Sequence, residues 1–388
     1  MVESLTLPEV FCILMKALSE SVFIFHNHPT HSNPQSMPSQ NRPPTIADVA
    51  DRAAVSIATV SRVLNGTTPV QPEKAERVRL AMQELQFVPR HAARVLASRR
   101  THTIGLLLPE ISGAFFSPML KGIEGAAHEA GYDLLIHSTQ VHDPSRRPLG
   151  EHNTDGLLVF TNSLDEQELA WLHQLGFPIV LLHQTPPTSL NIPVIAIENK
   201  DGAGMLTNHL IETHNRRRIV FLQGPEGHED SVWRERGYRE ALEAHAIAFN
   251  SELIASGGFD DEEAFAAIQH MLSEGIEFDA VFAGDDDAAI GAIRALKMAG
   301  RIVPEDVAVV GFDDIPFARY LSPALTTVRA PIEEVGRESV RQLTRLMNGE
   351  PAEGLTLMRT ELVIRESCGC QSPLSKHVQN ELLSSSRR

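Results

Sequence analysis

The chain has 388 residues, of which 42% are hydrophobic and 22% are charged. This length suits two or three domains, and the composition excludes a collagenous, a coiled-coil or a wholly disordered chain. The formal net charge of −16 argues by itself against a nucleic-acid partner. The three cysteines are too few for a disulfide framework, which fits a protein of the reducing cytoplasm.

The charge is unevenly distributed along the chain. Residues 45–103 contain nine Lys and Arg against five Asp and Glu, so this segment has a net charge of +4 within an acidic protein. A basic module joined to an acidic body indicates a polyanionic partner at one end. The apolar stretch at residues 5–25 is interrupted by charged residues and follows no basic segment, so we predict neither a signal peptide nor a membrane span.

Residues 1–44 are predicted to form a disordered arm. Residues 26–44 are rich in Pro, Ser, Asn and His and lack the apolar content that folding requires. A translation start at Met37 is an alternative explanation of the arm. Three of its histidines could bind a metal ion, but no carboxylate or thiol accompanies them, and we predict no metal site there: His26, His28 and His31.

Residues 45–90 carry the pattern of three short helices. Thr45, with Asp48 three residues later, predicts a capping box at the start of the first helix. Ser56 is a favourable N-cap for the second helix, and Pro72 is a favourable first residue for the third. Two helices joined by a tight turn and braced by a third make a helix-turn-helix unit.

From residue 104 onward, short apolar runs alternate with amphipathic helical stretches, which is typical of an α/β fold with doubly wound parallel sheets. We expect two such sheets in two lobes, with a ligand site between them at the carboxyl ends of the strands. The apolar runs lie at residues 104–109, 132–137, 155–160, 178–183, 194–197, 218–224, 280–284 and 307–314. The helical stretches lie at residues 119–130, 165–175, 202–213, 235–245, 261–274, 286–299 and 332–347.

The segment TIADVADRAAVSIATVSRVLNG, residues 45–66, closely resembles the DNA-binding headpiece of the LacI/GalR family of regulators. Further similar segments include RERGYREAL and VPEDVAVVGFDD, and the resemblance extends to about residue 365. It implies a three-helix headpiece, a hinge and a two-lobed domain like the periplasmic binding proteins. The expected domains are the arm at 1–44, the headpiece at 45–90, the hinge at 91–103, the effector-binding and dimerisation domain at 104–367, and a tail at 368–388.

The resemblance also implies which headpiece residues contact DNA. Base contacts are expected from Ile57, Ala58 and Arg62 on the outer side of the second helix. Arg62 suits bidentate contact with guanine, whereas Ile57 and Ala58 would touch thymine methyl groups or exclude water. The predicted DNA-binding set also contains polar residues, most of them suited to phosphates: Thr45, Ser56, Thr59, Ser61 and Asn65. The alternative is that such residues are ordinary caps or solvated polar groups.

In the hinge, the family resemblance implies a segment that becomes helical on the operator. A leucine at the position of Leu96 would enter the minor groove and kink the duplex. Arg94 and its basic neighbours would neutralise phosphates. The alternative is a basic linker whose Leu96 docks on the core domain.

The resemblance further implies that Arg234 grips the effector, that Asp285 and Asp313 contact it, and that Phe259 forms one wall of the cleft. An arginine with carboxylates suits a ligand with many hydroxyl groups, so a carbohydrate is expected. The alternative for the aspartates is helix capping and structural ion pairing. Phe115 and Phe116 are placed on the loop after the first strand, where they could stack on a ligand ring or, alternatively, serve as core residues. The predicted ligand-binding set is Phe115, Phe116, Thr161, His183, Arg234, Phe259, Asp285 and Asp313.

Two segments depart from the family pattern. The connection at residues 137–155 is short and contains two prolines, so we predict a loop where a helix is usual. His183 and Gln184 replace the usual aspartate and arginine, which leaves the effector's identity open.

Cys368 and Cys370 are two thiols without a second pair, which is weak evidence for zinc binding or redox sensing. We predict no metal and no cofactor.

Together these patterns predict a cytoplasmic repressor that binds a pseudo-palindromic operator as a homodimer and responds to a small polar effector. One alternative is a ligand sensor without DNA binding. Another is an enzyme on a doubly wound sheet, but the chain contains neither a G-x-x-x-x-G-K-[ST] phosphate loop nor a G-x-S-x-G nucleophile elbow. We therefore predict that the protein is not an enzyme.

Overall fold

The computed structural model describes residues 44–65, 68–87, 100–139 and 148–371. The chain divides into two compact units, Met1–Pro89 and Arg90–Arg388. Within the described ranges, none of the helices has the length and hydropathy of a bilayer-spanning segment. Arg94 and Leu96 of the predicted hinge lie outside the described residues.

The first unit contains three helices: α1 (Ile46–Ala53), α2 (Ile57–Asn65) and α3 (Pro72–Glu84). The predicted capping box is present, because the Thr45 backbone N–H donates to the Asp48 carboxylate at 2.7 Å. The three helices share a small core of short apolar side chains. It is centred on Val49, Val60 and Val78, each of which is fully buried.

The second unit contains seven helices and twelve strands among its described residues. In chain order they are β1 (Thr103–Leu108), α4 (Phe116–Glu129), β2 (Asp133–Ser138), β3 (Gly156–Phe160), α5 (Glu166–Gln174), β4 (Ile179–Leu182), β5 (Val194–Ile197), α6 (Asn199–His214), β6 (Ile219–Gln223), α7 (Glu229–Ala244), β7 (Ile254–Ser256), α8 (Asp261–Ser273), β8 (Ala280–Ala283), α9 (Asp286–Met298), β9 (Ala308–Val310), β10 (Thr327–Arg329), α10 (Ile332–Met347), β11 (Leu355–Met358) and β12 (Glu361–Val363).

These elements form two lobes. The first lobe has a six-stranded parallel sheet of order β11-β5-β4-β3-β1-β2, and the second has a four-stranded parallel sheet of order β7-β6-β8-β9. An antiparallel pair, β10 with β12, forms a separate small sheet. The chain passes between the lobes three times, after β5, after β10 and after β11. The predicted two-sheet α/β architecture is therefore confirmed.

The structure differs from the sequence predictions mainly at the short elements. Four strands of three or four residues were not predicted, because runs this short carry little periodicity: β7, β10, β11 and β12. Helix α4 begins at Phe116, three residues before its predicted start, and α7 begins at Glu229, six residues before its predicted start. In the connection after β2, residues 148–155 contain no helix, and residues 140–147 lie outside the described part.

Helices α4 and α10 pack closely because each has a glycine where it meets the backbone of the other. A Cβ atom on Gly122 would overlap the backbone carbonyl of Glu333, and one on Gly336 would lie 2.5 Å from the carbonyl oxygen of Met119. Both obstacles are helical backbone, which cannot move aside as a flexible side chain can. The close approach of the two helices therefore requires residues without a side chain at these positions.

We predict that Gly122→Ala lowers the stability of the second unit by about 1–3 kcal/mol, because the added methyl overpacks the helix contact. Gly125→Ala is the matched control on the same helix, since its nearest neighbour is the mobile end of Arg337 at 3.4 Å. The control is expected to be neutral, or stabilising by up to about 1 kcal/mol through helix propensity. Thermal unfolding measures both, and equal melting temperatures would contradict the close-approach argument.

Candidate functional site

The second helix of the headpiece has distinct inner and outer sides. Val60 is fully buried on the inner side, where Val63 and Leu64 pack partly buried against the three-helix core. Ile57 on the outer side is 52% exposed. A short helix held on one side and open on the other can lie in a DNA groove.

The other predicted DNA-contacting residues lie where their local chemistry places them. Ala58 and Arg62 are exposed, and Ser61 is half-buried. The Ser56 hydroxyl caps the helix by accepting the Thr59 N–H at 3.2 Å, so the capping interpretation holds for that residue. Thr45 likewise acts as a cap, because its side chain and backbone form the capping box with Asp48. The side chain of Asn65 is outside the described part.

A cavity of about 360 Å³ lies between the two lobes of the second unit, where loops follow the carboxyl ends of strands. The first lobe contributes three phenylalanine rings and the second contributes most of the charged groups. Six of the eight predicted ligand-binding residues line it: Phe115, Phe116, Arg234, Phe259, Asp285 and Asp313. Clefts of this size that combine aromatic walls with a few polar groups are typical small-molecule sites.

Arg234 is the centre of the polar part of the cavity. Its side chain is 2% exposed and lies 3.9 Å from the centre of the Phe312 ring. The guanidinium donates to the Asn199 side-chain oxygen at 2.8 Å, to the Gly284 carbonyl at 2.6 Å and to the Asp313 carboxylate at 3.1 Å. These partners come from three separate loops or helix ends, so the arginine joins them around one edge of the cavity.

The hydrogen-bond chain continues from Asn199 into the first lobe. The Asn199 amide donates to Asp230 at 2.8 Å, and the other Asp230 oxygen lies 2.7 Å from His183 Nδ1. Burial alone would raise the pKa of the Asp230 carboxyl, but the His183 imidazole and Arg234 hold this pKa well below its usual range. Asp230 is therefore ionised, and its contact with His183 is a charge-assisted link between the lobes.

The aromatic residues form a continuous wall. The ring of Phe115 lies 5.3 Å from that of Phe116 and 6.0 Å from that of Phe160, all in edge-to-face geometry. Phe116 opens helix α4 instead of lying on a loop, and it is 7% exposed, because it also packs in the hydrophobic core. In the second lobe the ring of Phe259 lies on Gly224 and Gly284: a Cβ atom on Gly224 would overlap the ring, and one on Gly284 would lie 3.0 Å from it.

Three of the carboxyl groups that line the cavity have raised pKa values, those of Asp285, Asp287 and Asp313. Burial, followed by repulsion from Asp313, raises the pKa of Asp285 well above its ordinary value and raises that of Asp287 to about 6. Asp285 also accepts the Ala288 N–H at 2.8 Å and so caps α9, as the structural alternative expected. Asp286 is fully buried, and its carboxylate accepts bonds from Thr327 and Ile315. Its function is therefore structural.

Thr161 and His183 belong to the predicted ligand set but do not line the cavity. Both are buried, and the His183 ring packs 5.7 Å from Phe115 and 5.2 Å from Phe160. His183 packs against the aromatic wall and contacts Asp230 through its Nδ1 atom. The Gln184 side chain accepts the Asn162 N–H at 3.1 Å and thereby holds the loop after β3.

Sequence reasoning missed several residues that line the cavity, most notably His228. Burial lowers the pKa of His228 to about 4, so its ring is neutral, and its buried Nδ1 has no hydrogen-bond partner among the described residues. Such an atom is available to a ligand. The missed residues could have been found by inspecting every polar side chain in the loops after strands: Glu110, Asn162, His228, Asp230 and Asp287.

Residues 45–90 match the family described as "Bacterial regulatory proteins, lacI family", and residues 207–368 match a periplasmic binding protein-like domain. The HTH-type transcriptional regulator CelR of Thermobifida fusca is 35% identical over 340 residues, covering 84% of this chain and 99% of the relative. A solved CelR–cellobiose complex is 33% identical, covers 84% of this chain and 99% of its own, and superposes with a TM-score of 0.61.

The Lac repressor dimer bound to operator and the anti-inducer ONPF is 27% identical. It covers 84% of this chain and 99% of its own, with a TM-score of 0.74. These relatives are transcriptional regulators. The chain belongs to the lacI family of bacterial regulatory proteins, and it is a DNA-binding transcription regulator controlled by a ligand.

Proposed function

We propose that the protein is a repressor that binds a pseudo-palindromic operator as a homodimer and is controlled by a carbohydrate in the cavity between its lobes. The observation that carries the carbohydrate assignment is the composition of the cavity, in which aromatic rings face an arginine and several carboxyl groups. Aromatic faces pack on the apolar faces of sugar rings, while carboxylates and guanidinium bond hydroxyl groups.

The charge of the cavity favours a neutral ligand. Burial raises the pKa values of Asp285, Asp287 and Asp313, and neighbouring carboxylates raise them further, so negative charge is disfavoured in this part of the cavity and an anionic ligand would meet the same penalty. Hydroxyl groups of a neutral ligand add no charge and can donate hydrogen bonds to the oxygens of these buried carboxyl groups. The unpartnered nitrogen of His228 adds one more polar contact point. CelR in its cellobiose complex is a relative with a neutral carbohydrate ligand.

In the headpiece, we assign base contact to the outer side of α2. Arg62 is exposed there and can donate two parallel hydrogen bonds to a guanine, and Ile57 can contact a thymine methyl group. We place the headpiece at 45–90, the hinge at 91–103 and the effector domain at 104–367. A homodimer with one headpiece per half-site matches the two-fold symmetry of such operators, and a DNA target of this kind places the protein in the cytoplasm.

The effector is coupled to DNA binding through the relative position of the two lobes. Its contacts with both cavity walls change the energy of the lobe arrangement, and the three chain crossings transmit that change. A coupling free energy of about 1–3 kcal/mol would change operator affinity roughly 5- to 150-fold.

We predict that Arg62→Ala weakens binding to an operator selected from random duplexes by about 1–3 kcal/mol and relaxes the preference at one G·C pair. Arg79→Ala is the matched control, because it removes the same charge from a residue on α3 that already pairs with Glu76 at 3.1 Å. Fluorescence anisotropy measures the affinity of each variant for the operator and for a duplex in which that G·C pair is replaced, and the ratio of the two affinities gives the preference at that pair. Equal losses for the two variants would contradict base recognition by Arg62.

The same measurement separates the two functional classes. If the wild-type chain binds no DNA duplex at low ionic strength, the protein is a ligand sensor without DNA binding, and the repressor proposal fails.

We predict that Phe259→Ala lowers effector affinity about tenfold or more, because the ring supplies a cavity wall and its loss removes packing of about 1–3 kcal/mol. Phe249→Ala is the matched control, since that ring lies outside the cavity, 39% exposed and stacked on Arg239. The ligand is first chosen by thermal shift from neutral mono- and disaccharides and purines, and calorimetry then gives the affinities. A purine as the best ligand, or an unaffected Phe259→Ala variant, would argue against the carbohydrate site.

A further inference from the structure

Four potential metal ligands meet at the far end of helix α6 from the cavity. Two histidines near the carboxyl end of that helix, His209 and His214, lie beside Cys368 and Cys370 from the segment that follows β12. The four candidate ligand atoms all lie within 4.8 Å of one another, and the two cysteines form no disulfide with each other. His209 is ten residues from Asn199 on the same helix, so the cluster is about 15 Å from the Arg234 network.

Three sulfur-to-nitrogen distances in this cluster match the edges of a tetrahedron around a small metal ion. The His209 Nε2 atom lies 3.4 Å from Cys368 Sγ and 3.7 Å from Cys370 Sγ, and His214 Nε2 lies 3.3 Å from Cys370 Sγ. Zn–S bonds of about 2.3 Å and Zn–N bonds of about 2.0–2.1 Å at tetrahedral angles give a sulfur-to-nitrogen separation of about 3.6 Å. The side chains therefore need only small shifts to bind an ion at their centre.

Neighbouring groups hold the ligands in this orientation. The Thr213 hydroxyl lies 3.2 Å from His209 Nδ1, which turns the Nε2 atom toward the thiols. The Thr326 hydroxyl donates to Cys368 Sγ at 3.2 Å, a contact that also stabilises a thiolate. Hydrogen bonds of this kind fix the geometry of metal ligands and tune their basicity.

The backbone between the two cysteines is shaped for the same cluster. Gly369 has a φ of +110°, which residues with side chains rarely adopt, and a Cβ there would lie 3.1 Å from the His214 ring. This turn brings both sulfur atoms to one side of the chain. Cys368 itself is fully buried, and the preceding Ser367 is anchored to β9, so the loop is held at its base.

We propose that His209, His214, Cys368 and Cys370 form a structural zinc site. Two thiolates and two imidazoles in tetrahedral arrangement are a ligand set that zinc prefers, and four protein ligands leave no open position for catalysis. Binding of the ion displaces one proton from each thiol and changes no oxidation state. The site joins the segment after β12 to helix α6 and so closes the second lobe at the end remote from the effector.

The test uses the untagged full-length chain, reduced and freed of metal with a chelator, and then titrated with Zn²⁺ or Co²⁺. The wild type is expected to take up one ion per chain with the absorption bands of tetrahedral, thiolate-bound cobalt. Cys370→Ser and His214→Gln, both at half-buried positions, should bind at least about 100-fold more weakly, since even the loss of a supporting group costs about 10–100-fold.

Two control variants should keep wild-type affinity: Cys12→Ser, which removes the remaining cysteine, and His270→Gln, which replaces an exposed histidine on α8. Zinc should raise the melting temperature of the wild type and of both controls but not that of His214→Gln. Binding that survives Cys370→Ser would place the ion elsewhere, for example on the three histidines of the arm. That result, or a reduced wild type that takes up no ion, would overturn the proposal.

Discussion

The burial of one arginine constrains the architecture of the second unit. A guanidinium that is 2% exposed costs several kcal/mol unless its N–H groups are paired and its charge is balanced. Arg234 meets this requirement only because Asn199, Gly284 and Asp313 reach it together. The start of α6 and the ends of β8 and β9 must therefore converge at one point, and that point is the edge of the effector cavity.

The loops around the effector cavity contain several residues with strained backbone conformations. Several residues other than glycine that follow strands have positive φ angles, among them Asn162 at 59°, His183 at 56°, Phe259 at 58° and Asp313 at 108°. Such conformations cost of order 1–3 kcal/mol each and persist only where surrounding contacts determine them. Here the contacts are the Gln184 bond to Asn162, the His183–Asp230 link, the glycine bed of Phe259 and the Arg234 network. The cavity is thus preorganised by strain as well as by hydrogen bonds.

Much of the fold could be predicted from the sequence because its signals are local. The capping box at Thr45, the N-cap at Ser56 and the long apolar strands are each readable within a few residues. The short strands β7, β10, β11 and β12 could not be predicted, since their pairing depends on distant partners. Local patterns likewise gave no reason to expect a positive φ at Phe259, because aromatic residues disfavour it.

The sites show the same division. Arg234, Phe259, Asp285 and Asp313 were identified through the family resemblance, and all four line the cavity. The link between His183 and Asp230 joins residues 47 positions apart, and the cluster of His209 with Cys368 spans 159 positions. No spacing rule connects residues so distant, and Cys368 and Cys370 alone therefore suggested only an incomplete metal site.

If the buried hydrogen-bond chain from His183 to Arg234 couples the lobes, the effector's influence on operator affinity depends on the His183 side chain. Operator affinity measured with and without saturating effector in His183→Leu tests this dependence. The control is His183→Gln, which has the same backbone strain but keeps an N–H group able to donate to Asp230. Losing a charge-assisted hydrogen bond of about 1.5–3 kcal/mol should change the effector's influence on operator affinity roughly 10- to 100-fold in the leucine variant and much less in the glutamine variant. An influence of the effector that is the same in wild type and His183→Leu would contradict the account.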